Sequence, residues 1–446
     1  MTAPTVRIDD RADLARTDAH ATVLDALAAG IAAAHPERVL ADALSVSGDQ
    51  LRVEDAVYDL AAYDEILVIG GGNAAAGVAA ALESLLGERV DGVVVTDDPA
   101  PTERVDVVEG SHPVPDEAAA AGARRVREAA ETAGEDTLVF AVITGGGSAL
   151  LPAPAEGLTL ADLQATTETL LASGAAIDEI NAVRKHLSAL KGGRLAAAAA
   201  PATVVTLAFS DVVGDDLATV ASGPTTPDPS TFGDAVAVLD RYDLDVPEAV
   251  RAHLGAGAAG ERPETPGPDT DFSHVRYHVL ADAWTAIDAA RAEAADAGYE
   301  TIILSSRVRG EAREQGLAHA AVAEEIAATG NPVEPPAAVL SGGETTVTVR
   351  GDGSGGPNQE FALRAALELP EGAVLGAVDT DGRDGGSDAA GVLVDGDTVA
   401  DAATAARARE HLANNDAEPF LAERDALVRT GPTGTNVNDL RVLLVE

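Results

Sequence analysis

Short apolar runs that each end in glycine, aspartate or serine constrain this chain more than any other feature. EILVIG (65–70), GVVVTD (92–97), TLVFAVITG (137–145) and TVVTLAFSD (203–211) have the length and Val/Ile/Leu content of strands buried on both faces. Ala-rich stretches lie between them, and that alternation is the βαβ pattern of a doubly wound sheet. An amphipathic helix is predicted around residues 17–34. A Gly/Pro/acid-rich stretch, GAGAAGERPETPGPDTD (255–271), then reads as a linker or long loop. A second α/β run follows it, with candidate strands at 276–281, 301–306, 337–343, 345–351, 373–380 and 441–446. The expected fold class is α/β with two domains, a Rossmann-like doubly wound one over 1–254 and a second α/β domain over 272–446. A length of 446 residues suits two cores better than one.

Charge excludes several function classes. With 74 acidic against 30 basic residues the formal net charge is -44, so the surface repels nucleic-acid phosphates and anionic lipid. The acids are scattered through helices rather than gathered in a tail, which predicts a folded, solvated acidic surface. Such a surface reads as salt adaptation, because at molar salt the Debye length falls to about 3 Å and self-repulsion is screened. The chain has no cysteine, which rules out disulfides, thiolate catalysis and Cys-based metal sites. The N-terminal segment has no apolar core of a signal peptide and no later stretch is apolar enough to span a bilayer, so a cytoplasmic location is expected.

Three glycine-rich segments directly follow predicted strands: GGGNAAAG (70–77), TGGGSALL (144–151) and SGGETT (341–346). Successive backbone N–H groups in such turns can point at one anion, and phosphate is the natural guest. Gly71, Gly72 and Asn73, with Gly145, Gly146, Gly147 and Ser148, are therefore candidate binding residues. A Walker A loop is excluded, because it needs a lysine that none of these turns has. The first turn fits G-x-G-x-x-A through Gly70, Gly72 and Ala75, with Asp97 placed for a ribose, so a dinucleotide reading stays open.

The most specific segment is SGAAIDEINAVRKHLSALKGGRLA (173–196). Only two of the 30 basic residues are lysine, Lys185 and Lys191, and both lie here. A helix running to Gly192–Gly193 puts Asn181, Arg184, Ser188 and Lys191 on one face. In so acidic a chain, an Arg–Lys–Lys–Arg cluster points to an anionic substrate. Further on, Asp211 closes a strand, where ligand chemistry sits in open α/β sheets, and Ser222 and Gly223 form a tight turn. In the second half, Glu344 follows a glycine pair, Asn358 opens a helix, Asp381, Asp384 and Asp388 follow another strand, and Thr433 and Asn436 lie in a turn-rich loop. Hard oxygen ligands at strand ends suit Mg²⁺, with Asp211 and Asp381 as the expected ligands.

Taken in order, TGGGSALL, GAAIDEINAVRKHLSALKGGRLA, SDVVGDDLATVASGPTTPD, GGETTVTVRG, NQE, DTDGRDG and GPTGTNVND resemble the glycerate 2-kinases whose C-terminal part is called the MOFRL domain. The resemblance spans nearly the whole chain. It implies a two-domain α/β enzyme with its site in the interdomain cleft, transferring the γ-phosphate of ATP to the 2-hydroxyl of D-glycerate or a related 2-hydroxy acid with Mg²⁺, and it is compatible with a homodimer. Lys191, Arg184 and Asp211 are then the expected catalytic residues, with Lys185 among the binding residues. Two positions depart from the family pattern: Asn73 stands where a lysine is usual, and Pro357 where an arginine precedes N-Q-E. These departures motivate two alternatives, a kinase-like binding protein with impaired transfer and, from the glycine turn, an NAD(P)-dependent hydroxypyruvate reductase.

Overall fold

The computed structural model describes residues 5–446. The chain divides into two compact units, one formed by Val39–Ser210 and Asp215–Leu280, the other by residues up to Arg38, Asp211–Gly214 and Ala281–Glu446.

The first unit is built on a six-stranded sheet of β1 (Glu65–Gly71), β2 (Val90–Thr96), β3 (Val105–Glu109), β4 (Thr137–Thr144), β5 (Thr203–Phe209) and β6 (Val275–Ala281). Their spatial order is β3-β2-β1-β4-β5-β6, and the pairs β1/β2, β1/β4, β2/β3 and β4/β5 are all parallel. Every residue of β4 is buried, as expected of a central parallel strand with both faces covered. Helices Ala75–Leu86 and Glu117–Thr132 follow the strands; Asp116 starts the second by accepting a hydrogen bond from the Ala119 amide at 2.8 Å. A small antiparallel meander, Leu44–Ser47, Gln50–Val53 and Ala56–Asp59, belongs to the same unit.

Apart from the sheet, Leu170, Ile180, Val183, Leu187, Phe232, Val250 and Leu254 form a separate apolar cluster. This cluster, drawn from four helices, seats the basic helix Ile177–His186. That helix is shorter than its sequence suggests. The Ser188 hydroxyl accepts hydrogen bonds from the amides of Leu190 (3.1 Å) and Lys191 (3.2 Å), and Ser188 bridges to Pro154; a side chain that competes for backbone amides ends the helix five residues early. The Gly/Pro/acid-rich stretch begins inside helix Glu248–Ala258 and continues as a loop on this same unit. Its Glu264 lies 3.1 Å from His186 Nε2, and Pro266 O accepts from the Asp228 amide.

Two strand expectations are corrected. Val275–Ala281, expected in the second sheet, is the edge strand of the first. SGGETT is not a turn: Ser341–Thr346 is the second half of a single strand, Ala337–Thr346, and 347–351 continues as irregular chain. Glycine within an apolar strand allows a close neighbour, here the Asp439 backbone beside Gly342.

The second unit carries β7 (Glu300–Glu311), β8 (Ala337–Thr346), β9 (Ala373–Asp379), β10 (Gly391–Asp395), β11 (Leu427–Val428) and β12 (Asp439–Val445), in the order β7-β8-β12-β9-β10-β11. Only β7/β8 is parallel; the other neighbours are antiparallel. All seven residues of β12 are buried. The opening helix, Asp18–Ala33, is N-capped by Thr17 and packs on this sheet, with Val23 and Leu27 against Gly376. The only tryptophan, Trp284, begins helix Ala283–Asp296 with 51% of its surface exposed. No helix among the described residues is long and apolar enough to cross a membrane.

Candidate active site

In the first unit the strand order reverses between β1 and β4, and a crevice outside the carboxyl ends of two such strands is where doubly wound sheets bind ligands. Both glycine turns end there. The turn after β1 is not a phosphate cradle, however. Its Gly72, Asn73, Ala74 and Ala75 amides donate to Val95 O, Gly145 O, Thr144 Oγ1 and Gly72 O, so all four donors are used inside the protein. Asn73 Nδ2 also donates to Asp97 Oδ1 at 2.8 Å, occupying the carboxylate that a ribose would need. Gly71, Gly72 and Asn73 thus brace the second turn: a Cβ at Gly146, which has φ 74°, would collide with Asn73.

The second turn opens onto a pocket lined by Ser148, Thr166, Thr167, Arg184, Ser188 and Lys191, with a wall of proline, alanine and leucine side chains that includes Pro113, Pro152 and Leu187. Three of the four residues expected to share one helical face therefore do meet, although Ser188 and Lys191 lie beyond the helix end. Among the described residues no carboxylate lines the pocket. Lys191 is 4% exposed, and its Nζ donates to the Leu151 carbonyl at 2.8 Å. Burial, reinforced by the Arg184 charge, lowers its pKa to about 7; burial lowers that of Arg184 as well. Two basic groups held together with no carboxylate in the described lining of the pocket make an arrangement that can hold an anion.

Asn181, the fourth residue of that expected face, lies behind the pocket. Ser222 Oγ donates to Asn181 Oδ1 at 2.9 Å, and Ser148 Oγ is 2.9 Å from Ser222 Oγ. Ser222 is fully buried, and it sits with Ala221 and Gly223 in a run of three left-handed residues (φ 50°, 63° and 60°). Left-handed backbone costs a non-glycine residue about 1 kcal/mol or more. The turn is held by Gly192 N donating to Ser222 O (3.1 Å) and Gly193 N to Gly223 O (2.8 Å). Lys185 faces away from this pocket and forms a buried ion pair with Asp228 at 3.2 Å. Asp228 was not among the expected site residues; nothing in its local sequence, TPDPS, announces a partner 43 residues away.

In the second unit the acidic candidates gather around the loop 431–438. Thr433 Oγ1 donates to Thr380 O (2.6 Å), and its amide donates to Asp381 O (3.2 Å). Asn436 Oδ1 accepts from the Asn438 amide (3.1 Å), and Asn438 Nδ2 donates to the Asp211 carbonyl. One loop thus fixes the backbone of both Asp211 and Asp381. Asn358 Nδ2 donates to Asp439 Oδ1 at 2.6 Å. Although the Glu344 side chain reaches solvent, the surrounding protein and the carboxylates of Asp211 and Asp439 raise its pKa to about 7.

Two further carboxylates belong to this cluster: Asp384, which follows the same predicted strand as Asp381, and Asp379, which was not among the expected residues. Burial, with Asp381 and Asp439 nearby, raises the Asp379 pKa well above the usual range. Asp384 is raised to about 7, chiefly by burial, and accepts from the Asn358 and Gln359 amides at 2.9 and 2.8 Å. It therefore caps helix Pro357–Ala366, in which Pro357 occupies the first turn, where its missing N–H costs nothing. Among the described residues no three His, Asp or Glu side chains are arranged to hold a metal alone. Mg²⁺ commonly takes only one or two carboxylates, with phosphate oxygens and waters for the rest. Mutually repelling carboxylates with raised pKa values are a donor set that fits such a cation.

A family model described as a domain of unknown function (DUF4147) matches residues 22–255, and the MOFRL family model matches residues 337–439. The chain is 42% identical over 430 residues to a glycerate 2-kinase of Pyrococcus horikoshii, covering 93% of this chain and 94% of that one. It is 44% identical over 389 residues to a putative hydroxypyruvate reductase of Agrobacterium vitis, covering 85% and 87%. A crystal structure of a glycerate kinase from Thermotoga maritima superposes with a TM-score of 0.80 at 37% identity, covering 95% of this chain and 99% of that one.

Proposed function

The chain belongs to the glycerate 2-kinase family, and from that premise we propose that it transfers the γ-phosphoryl group of ATP to the 2-hydroxyl of D-glycerate with Mg²⁺ bound. The observation that carries this reading is the Arg184–Lys191 pocket, a carboxylate-free cationic site in a chain of net charge -44. A small organic anion is the ligand such a pocket is built to hold.

Phosphoryl transfer depends on positioning and on stabilising charge rather than on covalent chemistry by the protein. Arg184 and Lys191 bind and orient the acceptor anion, and the pocket's apolar wall excludes water around it. In the second unit, Asp211 and Asp381 would hold Mg²⁺, with their backbones fixed by the 431–438 loop. When bound, that ion neutralises charge on the nucleotide phosphates. Burial, with the neighbouring carboxylates, raises the pKa of Glu344 and Asp379, so protons would compete with a cation there. Gly71, Gly72 and Asn73 support the turn that carries Ser148.

The reductase reading rests on the name of the Agrobacterium vitis relative and on the G-x-G-x-x-A spacing. Against it stand the four occupied amides of that turn and the engagement of Asp97 by Asn73. The impaired-transfer reading rests on Asn73 and Pro357, neither of which offers a cation. The deciding experiment supplies a panel of 2-hydroxy acids with ATP and Mg²⁺ in molar KCl and resolves products by phosphate position. Formation of 2-phosphoglycerate is expected. Nicotinamide oxidation with hydroxypyruvate, without turnover of ATP and glycerate, would replace the kinase reading with the reductase one, and binding without turnover of either would favour the impaired-transfer one.

A further inference from the structure

The hydrogen bonds behind the pocket have a direction, and that direction reaches its surface. Asn181 Oδ1 is an amide oxygen and can only accept, so the single proton of Ser222 is spent on it. Ser222 then meets Ser148 with a lone pair, and the 2.9 Å contact between the two hydroxyls requires Ser148 to donate. What Ser148 has left to present to the pocket is lone pairs. Ser188, on the same pocket, has the opposite polarity: its oxygen accepts from the Leu190 and Lys191 amides, which leaves its proton to give. Around Ser148 the pocket offers three donors, Arg184, Lys191 and Ser188; Thr166, whose Oγ1 gives its proton to the Asp162 carbonyl at 2.7 Å, is a second hydroxyl preset as an acceptor, and Thr167 also lines the pocket.

We propose that this polarity selects a 2-hydroxy acid over the corresponding 2-oxo acid: the donors hold the carboxylate and Ser148 accepts the proton of the adjacent hydroxyl. A carbonyl at that carbon would set oxygen lone pairs against oxygen lone pairs. Rotating Ser148 to donate instead would take its proton from the buried, fully inaccessible Ser222, and sites that leave a buried polar group unpaired reject ligands strongly. The left-handed backbone of Ala221 and Ser222 is what aims the relay, and such strain persists where surrounding contacts over-determine it. Ser148 is thus a specificity-determining residue, and Ser222 and Asn181 are positioning residues behind it.

This inference rests on the acceptor reading of the pocket, and calorimetry with D-glycerate and hydroxypyruvate separates the two. The parent is expected to bind glycerate at least about tenfold more tightly than hydroxypyruvate, the effect of one mismatched buried hydrogen bond. In Ser148→Ala the glycerate affinity should fall about tenfold with hydroxypyruvate changed less than about twofold. In Ser222→Ala, where Ser148 is released to donate, hydroxypyruvate should gain, a change that simple loss of packing cannot produce. If the parent prefers glycerate and both variants keep that preference, the relay is overturned while the acceptor pocket stands. If the parent binds neither acid, the acceptor reading falls and the relay with it.

Discussion

Lys185 is locked to Asp228 by an ion pair 3.2 Å long in which the two side chains are 7% and 0% exposed. Burial alone would raise the Asp228 pKa, but the Lys185 charge and hydrogen bonds from Ser230 outweigh it and hold the carboxylate below its ordinary value. The chain's only other lysine, Lys191, rests on a carbonyl instead. The pair of lysines that looks uniform in sequence is split into one ion-paired and one pocket-facing residue.

Replacing Lys185 by Met should consequently act on stability. It leaves Asp228 buried and unpaired, which typically costs about 3–5 kcal/mol, and a thermal melt should show a large drop in Tm. The double change Lys185→Met, Asp228→Leu should recover much of it. A Lys185→Met variant with unchanged Tm would show that the pair contributes nothing.

Lys191→Met should have the reverse signature. With its folded pKa depressed from 10.5 to about 7, Lys191 makes the unfolded chain bind more protons than the native one between those values, so native stability rises with pH across that window. The variant should lose this rise, melt at or above the parent temperature at pH 7, and fail to bind glycerate. Lys191→Arg stays charged and should remove the pH dependence of anion affinity. In the parent, that affinity should weaken up to about tenfold per pH unit above 7, as the free amine must be protonated to bind. Calorimetric titration at pH 6, 7, 8 and 9 reads all of this.

For the carboxylates the sign is opposite. Glu344 and Asp384, raised to about 7 from ordinary values of 4.5 and 3.8, bind protons in the native state that the unfolded chain has released, so their contribution favours the fold at low pH and is lost as pH rises from those values to about 7. At the proposed Asp211–Asp381 site Mg²⁺ would compete with those protons. Adding MgCl₂ should therefore raise Tm more at pH 8 than at pH 6, and the double variant Asp211→Asn, Asp381→Asn should show no such difference. Equal Mg²⁺ responses in parent and variant would remove both residues from the metal site.

Ionic strength should matter throughout. The charge of -44 is poorly screened in dilute buffer and almost wholly screened in molar salt, where the Debye length is about 3 Å. Tm is expected to rise between ~0.1 M and molar KCl; a flat response would end the salt-adaptation reading.

What the sequence made legible was local. The strand-to-glycine runs mark β1, β2, β4 and β5, and the Arg184–Lys191 cluster stands out because the rest of the chain is so acidic. Non-local choices left no such trace. The position of Val275–Ala281 at the edge of the first sheet depends on a partner strand some 70 residues away. Helix periodicity carried past His186 because Leu187 and Leu190 keep the spacing, while the serine that ends the helix acts through a side-chain geometry that periodicity does not encode. Asn73 and its turn illustrate the converse: glycines spaced for a phosphate loop are used here for packing one turn against another.

Trp284 has a practical consequence. As the sole indole, half in solvent at the start of a helix in the second unit, it makes intrinsic fluorescence a local reporter. Its emission should already be that of a partly hydrated ring in the native state, so its wavelength shift on denaturation will be small and will follow that unit alone. The parallel sheet and the Lys191 pocket contain no indole, and calorimetry or circular dichroism must follow them instead.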